Sequence, residues 1–173
     1  MMTDPAALVR AQLDSLGVAY EVLPCDPELA DTAAFCAHYA IDPADSANTI
    51  MVVGKADSPR YVACVVLATT RLDVNGVVRR HLGTKKASFA SADETRELTG
   101  MIIGGVTAFG LPADLEILVD SRVMERGTII LGGGSRDCKI SADPAILTAN
   151  PRVTVVEDLA KVPTVAPEAI ASE

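Results

Sequence analysis

Gly104-Gly105-Val106-Thr107-Ala108-Phe109-Gly110 and Gly132-Gly133-Gly134-Ser135-Arg136-Asp137-Cys138-Lys139 are the two stretches whose reading decides the fold. An apolar, β-branched run precedes each, Met101-Ile102-Ile103 and Thr128-Ile129-Ile130-Leu131, so both read as strand-to-turn junctions. Glycines cluster at such junctions where the backbone takes positive φ or lies close to a ligand. The two turns are expected to form facing walls of one small cleft, with Ser135, Arg136 and Lys139 supplying its polar groups. Read singly, each is an ordinary tight turn in a mixed sheet.

Working outward, Asp4-Pro5 is an N-cap with proline at the first helical position, and Leu8, Val9, Leu13 and Leu16 follow at helical spacing before Gly17. Val18 to Leu23 reads as a strand and Asp31 to Tyr39 as a second helix. Thr49–Val53 and Tyr61–Leu67, joined by Gly54-Lys55-Ala56-Asp57-Ser58-Pro59, read as a hairpin. Asp73 caps a short helix to His81, Lys85–Phe89 is a strand, and Ser91-Ala92-Asp93-Glu94 is a capping box opening a helix that ends at Gly100. Strands at Glu116–Val119, Thr128–Leu131 and Lys139–Ser141, a helix after Asp143-Pro144, and a strand at Val153–Val156 complete the pattern. Short strands alternating irregularly with helices predict a mixed α/β domain of the α+β type, not a doubly wound one. Residues 1–160 are read as one domain, and the Pro-, Ala- and Glu-rich 161–173 as a disordered tail.

With 173 residues, 49% of them hydrophobic, the chain suffices for one well-buried core. It has no Trp, three Tyr and three Phe, so that core must be built from Val, Ile, Leu and Ala. A net charge of -8 excludes a protein that coats nucleic acid nonspecifically, although not one that touches a single RNA end. No run of about 18 apolar residues exists, so no membrane span is expected. Met1-Met2-Thr3-Asp4-Pro5 does not read as a secretory signal, and a cytoplasmic location is expected. Cys25, Cys36, Cys64 and Cys138 form no C-x-x-C pair and have no histidine at ligand spacing. Buried reduced thiols are therefore expected, with no metal and no cofactor. Cys138 stands out only for lying inside the second glycine turn.

Several segments together resemble one family. They are Asn48-Thr49-Ile50-Met51-Val52-Val53, Leu72-Asp73-Val74, Gly83-Thr84-Lys85-Lys86-Ala87, Leu98-Thr99-Gly100-Met101-Ile102-Ile103-Gly104-Gly105-Val106-Thr107, Leu118-Val119-Asp120 and Gly132-Gly133-Gly134-Ser135-Arg136. In this order they resemble the YbaK/EbsC-type domain, the prolyl-tRNA-synthetase-associated aminoacyl-tRNA deacylases, from about Leu8 to Leu159. The resemblance implies a curved mixed β-sheet, or partial barrel, surrounded by helices. It implies binding of the 3′ end of a mischarged tRNA and trans-editing hydrolysis of an ester carrying a small amino acid of the Ala, Cys or Pro class. A synthetase is a further candidate partner. The family's chemistry leans on backbone groups, water and the terminal ribose hydroxyl, which agrees with the lack of a Ser-His-Asp or Cys-His pattern.

Three positions depart from the family's pattern. Asn48 stands where the family usually has Lys, Lys139 aligns with its usual Asp, and Ala108 replaces a Pro that often ends the first loop. Lys139, Asn48 and Gly105 are thus the catalytic candidates, with the positive charge moved from one wall of the pocket to the other. Backbone amides of Gly104, Gly105 and Thr107 are candidates for meeting an oxyanion. Asp120, Gly133, Gly134, Ser135 and Arg136 are further substrate-binding candidates, Arg136 because guanidinium suits phosphate. Arg79, Arg80, Lys85 and Lys86 are the one basic cluster of an acidic chain and the candidate tRNA contact. For each residue a turn, a cap or a solvated surface is the competing explanation. Two functions stay open: a deacylase, or a non-catalytic module of the same fold that binds an aminoacyl, nucleotide or tRNA-end ligand. Gly132–Gly134 matches neither phosphate-binding glycine motif, which sets a dinucleotide enzyme aside.

Overall fold

The computed structural model describes residues 4–163. Helix α1 (Pro5–Leu16) starts at Asp4, whose carboxylate accepts from the Ala6 amide, and stops where Gly17 turns left-handed at φ 69°. Strand β1 (Glu21–Pro24), a 3₁₀ turn (Pro27–Leu29) and α2 (Thr32–Tyr39) follow. The hairpin is β2 (Ala47–Lys55) and β3 (Arg60–Leu67), paired antiparallel from Ala47↔Leu67 to Gly54↔Arg60. Next come β4 (Arg71–Leu72), a π-type turn (Val74–Val78) and α3 (Arg79–Leu82). Strand β5 (Lys86–Phe89) leads to α4 (Ala92–Thr99), where Ser91 and Glu94 satisfy each other's backbone amides as their spacing predicts. The chain closes with β6 (Ile117–Asp120), β7 (Ile129–Gly132), β8 (Cys138–Ala142), α5 (Ala145–Thr148), β9 (Val153–Val156) and β10 (Ala160–Lys161).

A five-stranded mixed sheet has the order β5-β2-β3-β6-β9, with β3, β6 and β9 parallel to one another. Both its faces are covered, which is why β3 and β6 read as continuous apolar runs. Ala47, Met51, Ala63, Val65, Ile117 and Val119 pack on one side with Val9, Leu13 and Phe109. Val52, Val62, Cys64 and Leu118 pack on the other with Val74, Val78, Leu82 and Leu159. Burial pushes the Cys64 thiol up to about 12. A three-stranded antiparallel sheet, β1-β8-β7, joins the larger one through a parallel bridge between Ser46 and Ile130, without closing a barrel. One face of this smaller sheet, with Leu131 and Ile140, feeds the main core. The other carries Leu23, Ile130 and Lys139 under α2 and Phe35.

Three expectations need correction. The first strand begins at Glu21, not Val18, because its partner β8 ends at Ala142 and the pairing opens at Glu21↔Ser141. Met101-Ile102-Ile103 is not a strand: the Gly105 amide folds back onto the Ile102 carbonyl at 2.9 Å, and Ile102 and Ile103 stand about half exposed. The boundary at 160 falls inside β10, whose Lys161 pairs with Arg71, so ordered chain runs past it. The disordered tail expected beyond it lies, from 164 onward, outside the described residues.

Candidate active site

The cleft sits where the two sheets lean together. Its walls are the start of β2, the end of β7, the first glycine turn and the N-terminus of α2, and its volume is about 210 Å³. Asn48, Thr49, Thr32, Gly104 and Lys139 bring its polar groups, while Phe35, Ile103, Val106 and Ile130 make it narrow and apolar. Among the described residues it holds no carboxylate and no imidazole.

Lys139 is 7% exposed, which rules out the ordinary solvent-facing strand lysine. It pairs with Gly132 on β7 and Leu23 on β1, so it shares their face of the sheet and runs beneath α2. Its Nζ donates to the Ala30 carbonyl at 2.6 Å and the Gly104 carbonyl at 2.8 Å, and lies 5.3 Å from the centre of the Phe35 ring. Two of the three ammonium donors are thereby committed and one is left over. Burial, the largest effect, holds the Lys139 ammonium below the usual lysine value, and Arg136 pushes the same way. Asn48 and Thr32 meet across the cleft, the Thr32 hydroxyl donating to Asn48 Oδ1 at 2.8 Å, which leaves the Asn48 amide donors free of that bond. The Thr49 hydroxyl is buried in the cleft wall without a partner.

The two glycine turns do not face each other across a gap; they touch. The Gly134 amide donates to the Gly105 carbonyl at 2.8 Å. A Cβ on Gly132 would run into the Val106 carbonyl, and one on Gly105 would come within 2.8 Å of the Ser135 backbone. Glycine is required here for close backbone packing, and the cleft opens to one side of the packed pair.

The Aminoacyl-tRNA editing domain model matches residues 26–149, a span that contains both glycine turns and all the cleft residues. The chain belongs to that family. The editing domain is similar in fold to a solved structure described as a candidate trans-editing enzyme for prolyl-tRNA synthetase, at 21% identity and a TM-score of 0.76. That match covers 93% of this chain and 99% of the other. A second neighbour, a hypothetical protein, is 23% identical with a TM-score of 0.75, covering 85% and 96% of the two chains.

The editing domain brings Lys139, Asn48 and Gly104 together, and not the other candidates. Gly105's amide is spent on Ile102, so it is no oxyanion donor in this arrangement. Thr107 is fully buried away from the cleft lining, its hydroxyl unpartnered. Asp120 is fully buried and accepts from the amides of Ala160 at 2.6 Å and Arg122 at 2.8 Å, so it fastens β10 to β6. Gly133 and Gly134 are packing positions outside the lining. Ser135 bonds Asp137 at 2.5 Å, which holds that carboxylate below its usual range.

Arg136 is likewise engaged: it donates to the carbonyls of Pro27 at 2.8 Å and Ile103 at 2.6 Å, and pairs with Asp31 at 2.9 Å. It pins the rim instead of offering an open guanidinium. Arg79, Arg80, Lys85 and Lys86 sit at the far end of β2, where Lys86 pairs with Lys55. Seven strand steps run from Asn48 to Lys55, about 23 Å. Thr32, Phe35, Thr49 and Ile103 are cleft residues that the sequence reading did not single out. Only Thr49 left a signal, as a polar residue inside an apolar strand.

Proposed function

We propose that this editing domain is an aminoacyl-tRNA deacylase acting in trans on a mischarged tRNA that carries a small amino acid of the Ala, Cys or Pro class. The observation that carries the reading is the buried Lys139 ammonium, with two donors fixed on carbonyls and one uncommitted, in a cleft that has no competing carboxylate among the described residues. A fixed donor in a water-poor site suits the oxygen of an ester carbonyl as it gains charge, an effect worth about 10²–10³ in rate. Asn48 supplies neutral amide donors opposite it. Water attacks the acyl carbon, the bond from that carbon to the ribose oxygen breaks, and the departing oxygen takes the water's proton. The vicinal ribose hydroxyl assists, as the cleft lining offers no carboxylate or imidazole among the described residues. The narrow volume and the apolar walls of Val106, Ile103 and Phe35 support a small acyl group. Arg136 acts as a positioning residue through the Ile103 carbonyl.

The test is deacylation of tRNAs charged with Ala, Cys, Pro or Ser, with protein in excess over tRNA. Turnover of one or two of the small esters is expected. Stability of all of them under those conditions overturns the enzyme and leaves a module that binds the aminoacyl end.

A further inference from the structure

Phe35 and Phe109 are buried, whereas Phe89, the third phenylalanine of the chain, stands 58% exposed. It ends β5, the outer strand of the five-stranded sheet. The register sets it opposite Val52, so it shares a face with Val52 and, at the two-residue period, with Ile50 and Asn48. Asn48 and Ile50 line the cleft. Four strand steps and one strand spacing put Phe89 about 14 Å from Asn48. The same edge then runs on to the basic cluster. Lys86 lies directly opposite Lys55, a like-charged pair that costs stability unless an anion bridges it. Lys85 precedes it, α3 adds Arg79 and Arg80, and Arg60 is held at this end by donating to the Leu82 carbonyl at 2.8 Å. Among the described residues none of these cations forms an ion pair with a carboxylate.

We infer that this sheet edge is a track for the 3′ strand of the tRNA, with Phe89 stacking a base and the basic end holding phosphates where the strand enters the double helix. The inference rests on the deacylase reading above, which places the ester in the cleft. A stacked strand advances about 3.4 Å per nucleotide, so Phe89 stands about four nucleotides from the ester and Lys55 about seven. An exposed aromatic face followed by unpaired cations is the composition of a surface for single-stranded nucleic acid. The ring takes any base, and the ammonium and guanidinium groups take the backbone. An acidic protein segment would use the cations but leave the ring without a planar partner. The rest of the chain, with a net charge of -8 overall, repels a polyanion, which confines contact to this edge.

The experiment measures binding of an uncharged RNA hairpin with a single-stranded 3′ overhang to the full chain, by fluorescence anisotropy over a salt series. Saturable binding is expected. Phe89→Ala, at an exposed position, should weaken it about ten-fold, and Phe89→Tyr should keep it. A fluorescent adenine analogue in the overhang, quenched on binding wild type, should stay bright with F89A. Lys85→Gln combined with Lys86→Gln should flatten the slope of log affinity against log salt by about 1.4, from two counterions at about 0.7 each. In deacylation both variants should raise KM with kcat nearly unchanged. Absence of RNA binding, wild-type affinity in F89A, or an unchanged salt slope in the double variant overturns the inference. Displacement of the hairpin by polyglutamate as readily as by RNA also overturns it, making the patch a surface for acidic protein. The two readings fail separately. Ester hydrolysis with an unchanged KM in both variants loses the track and retains the enzyme. RNA held through Phe89 and the lysines, without hydrolysis of any ester, loses the enzyme and retains the track.

Discussion

Replacing Lys139 by Met separates the role of its charge from that of its stem. The methionine keeps an unbranched chain to fill the slot beside Phe35 but has no donor, so the carbonyls of Ala30 and Gly104 lose bonds of 2.6 and 2.8 Å. The buried Ala30 carbonyl left unpaired costs about 1–3 kcal/mol and the half-buried Gly104 carbonyl less, about 2–4 kcal/mol together. The variant no longer takes an ammonium out of water, a penalty of several kcal/mol in protein interiors. These terms have opposite sign and similar size, so K139M should unfold within about 2 kcal/mol of wild type. Catalysis has no such offset, and single-turnover deacylation should fall about 10²–10³-fold.

A pH series of urea titrations adds a second readout. Lys139 holds its proton less tightly in the folded chain than the ordinary 10.5, mainly because it is buried. Between the folded value and 10.5 the unfolded chain binds more protons, so wild-type stability gains from this group as pH rises across that window. Below the window both states are protonated and the contribution is flat. K139M should lack the rise. A folded K139M that deacylates within about five-fold of wild type refutes the oxyanion role, and an identical alkaline stability profile refutes the burial argument.

Three further substitutions test the frame around the cleft. Thr49→Val removes an unpartnered buried hydroxyl. It should raise stability by about 1 kcal/mol in urea while weakening substrate binding in KM; a destabilised variant would mean that the hydroxyl is satisfied within the protein. Gly132→Ala places a methyl group against the Val106 carbonyl and should cost about 3 kcal/mol or more, read as a lowered urea midpoint. Asp120→Ala orphans the amides of Ala160 and Arg122 and leaves the Arg122 guanidinium without one partner. It should cost about 3–5 kcal/mol, whereas the folded fraction should deacylate at the wild-type rate, as befits a residue outside the cleft.

The local elements were legible because their signals are local. Asp4-Pro5 with Gly17, the Ser91–Glu94 box and the β2–β3 hairpin each declare themselves within about a dozen residues, and each is present. What could not be read depends on partners distant in sequence. Nothing near Asp120 announces that the Ala160 amide, 40 positions on, will occupy its carboxylate. Arg136 looks free until the carbonyls of Pro27 and Ile103 arrive from 109 and 33 positions upstream. Met101-Ile102-Ile103 has strand composition, but the Gly105 amide and the Arg136 guanidinium commit the Ile102 and Ile103 carbonyls to a turn, leaving no ladder to join. The pattern around Lys139 predicts a strand, and Lys139 is on one. That it lies under α2 follows only from the pairing with Leu23 and Gly132.

The backbone contact between the two glycine turns bears on how such a cleft changes by descent. Where the turns touch, main chain is pressed on main chain, so a side chain added at Gly105 or Gly132 breaks that contact before it can reshape the cleft. The opposite wall is made of replaceable side chains at Thr32, Asn48 and Thr49, with Ile103 at the rim. Under the deacylase proposed above, duplicated copies of this chain would diverge in acyl preference through the side chains that line the cleft and not through the glycine contact. The glycine contact is then the frame held constant, and the lining side chains are the part free to vary.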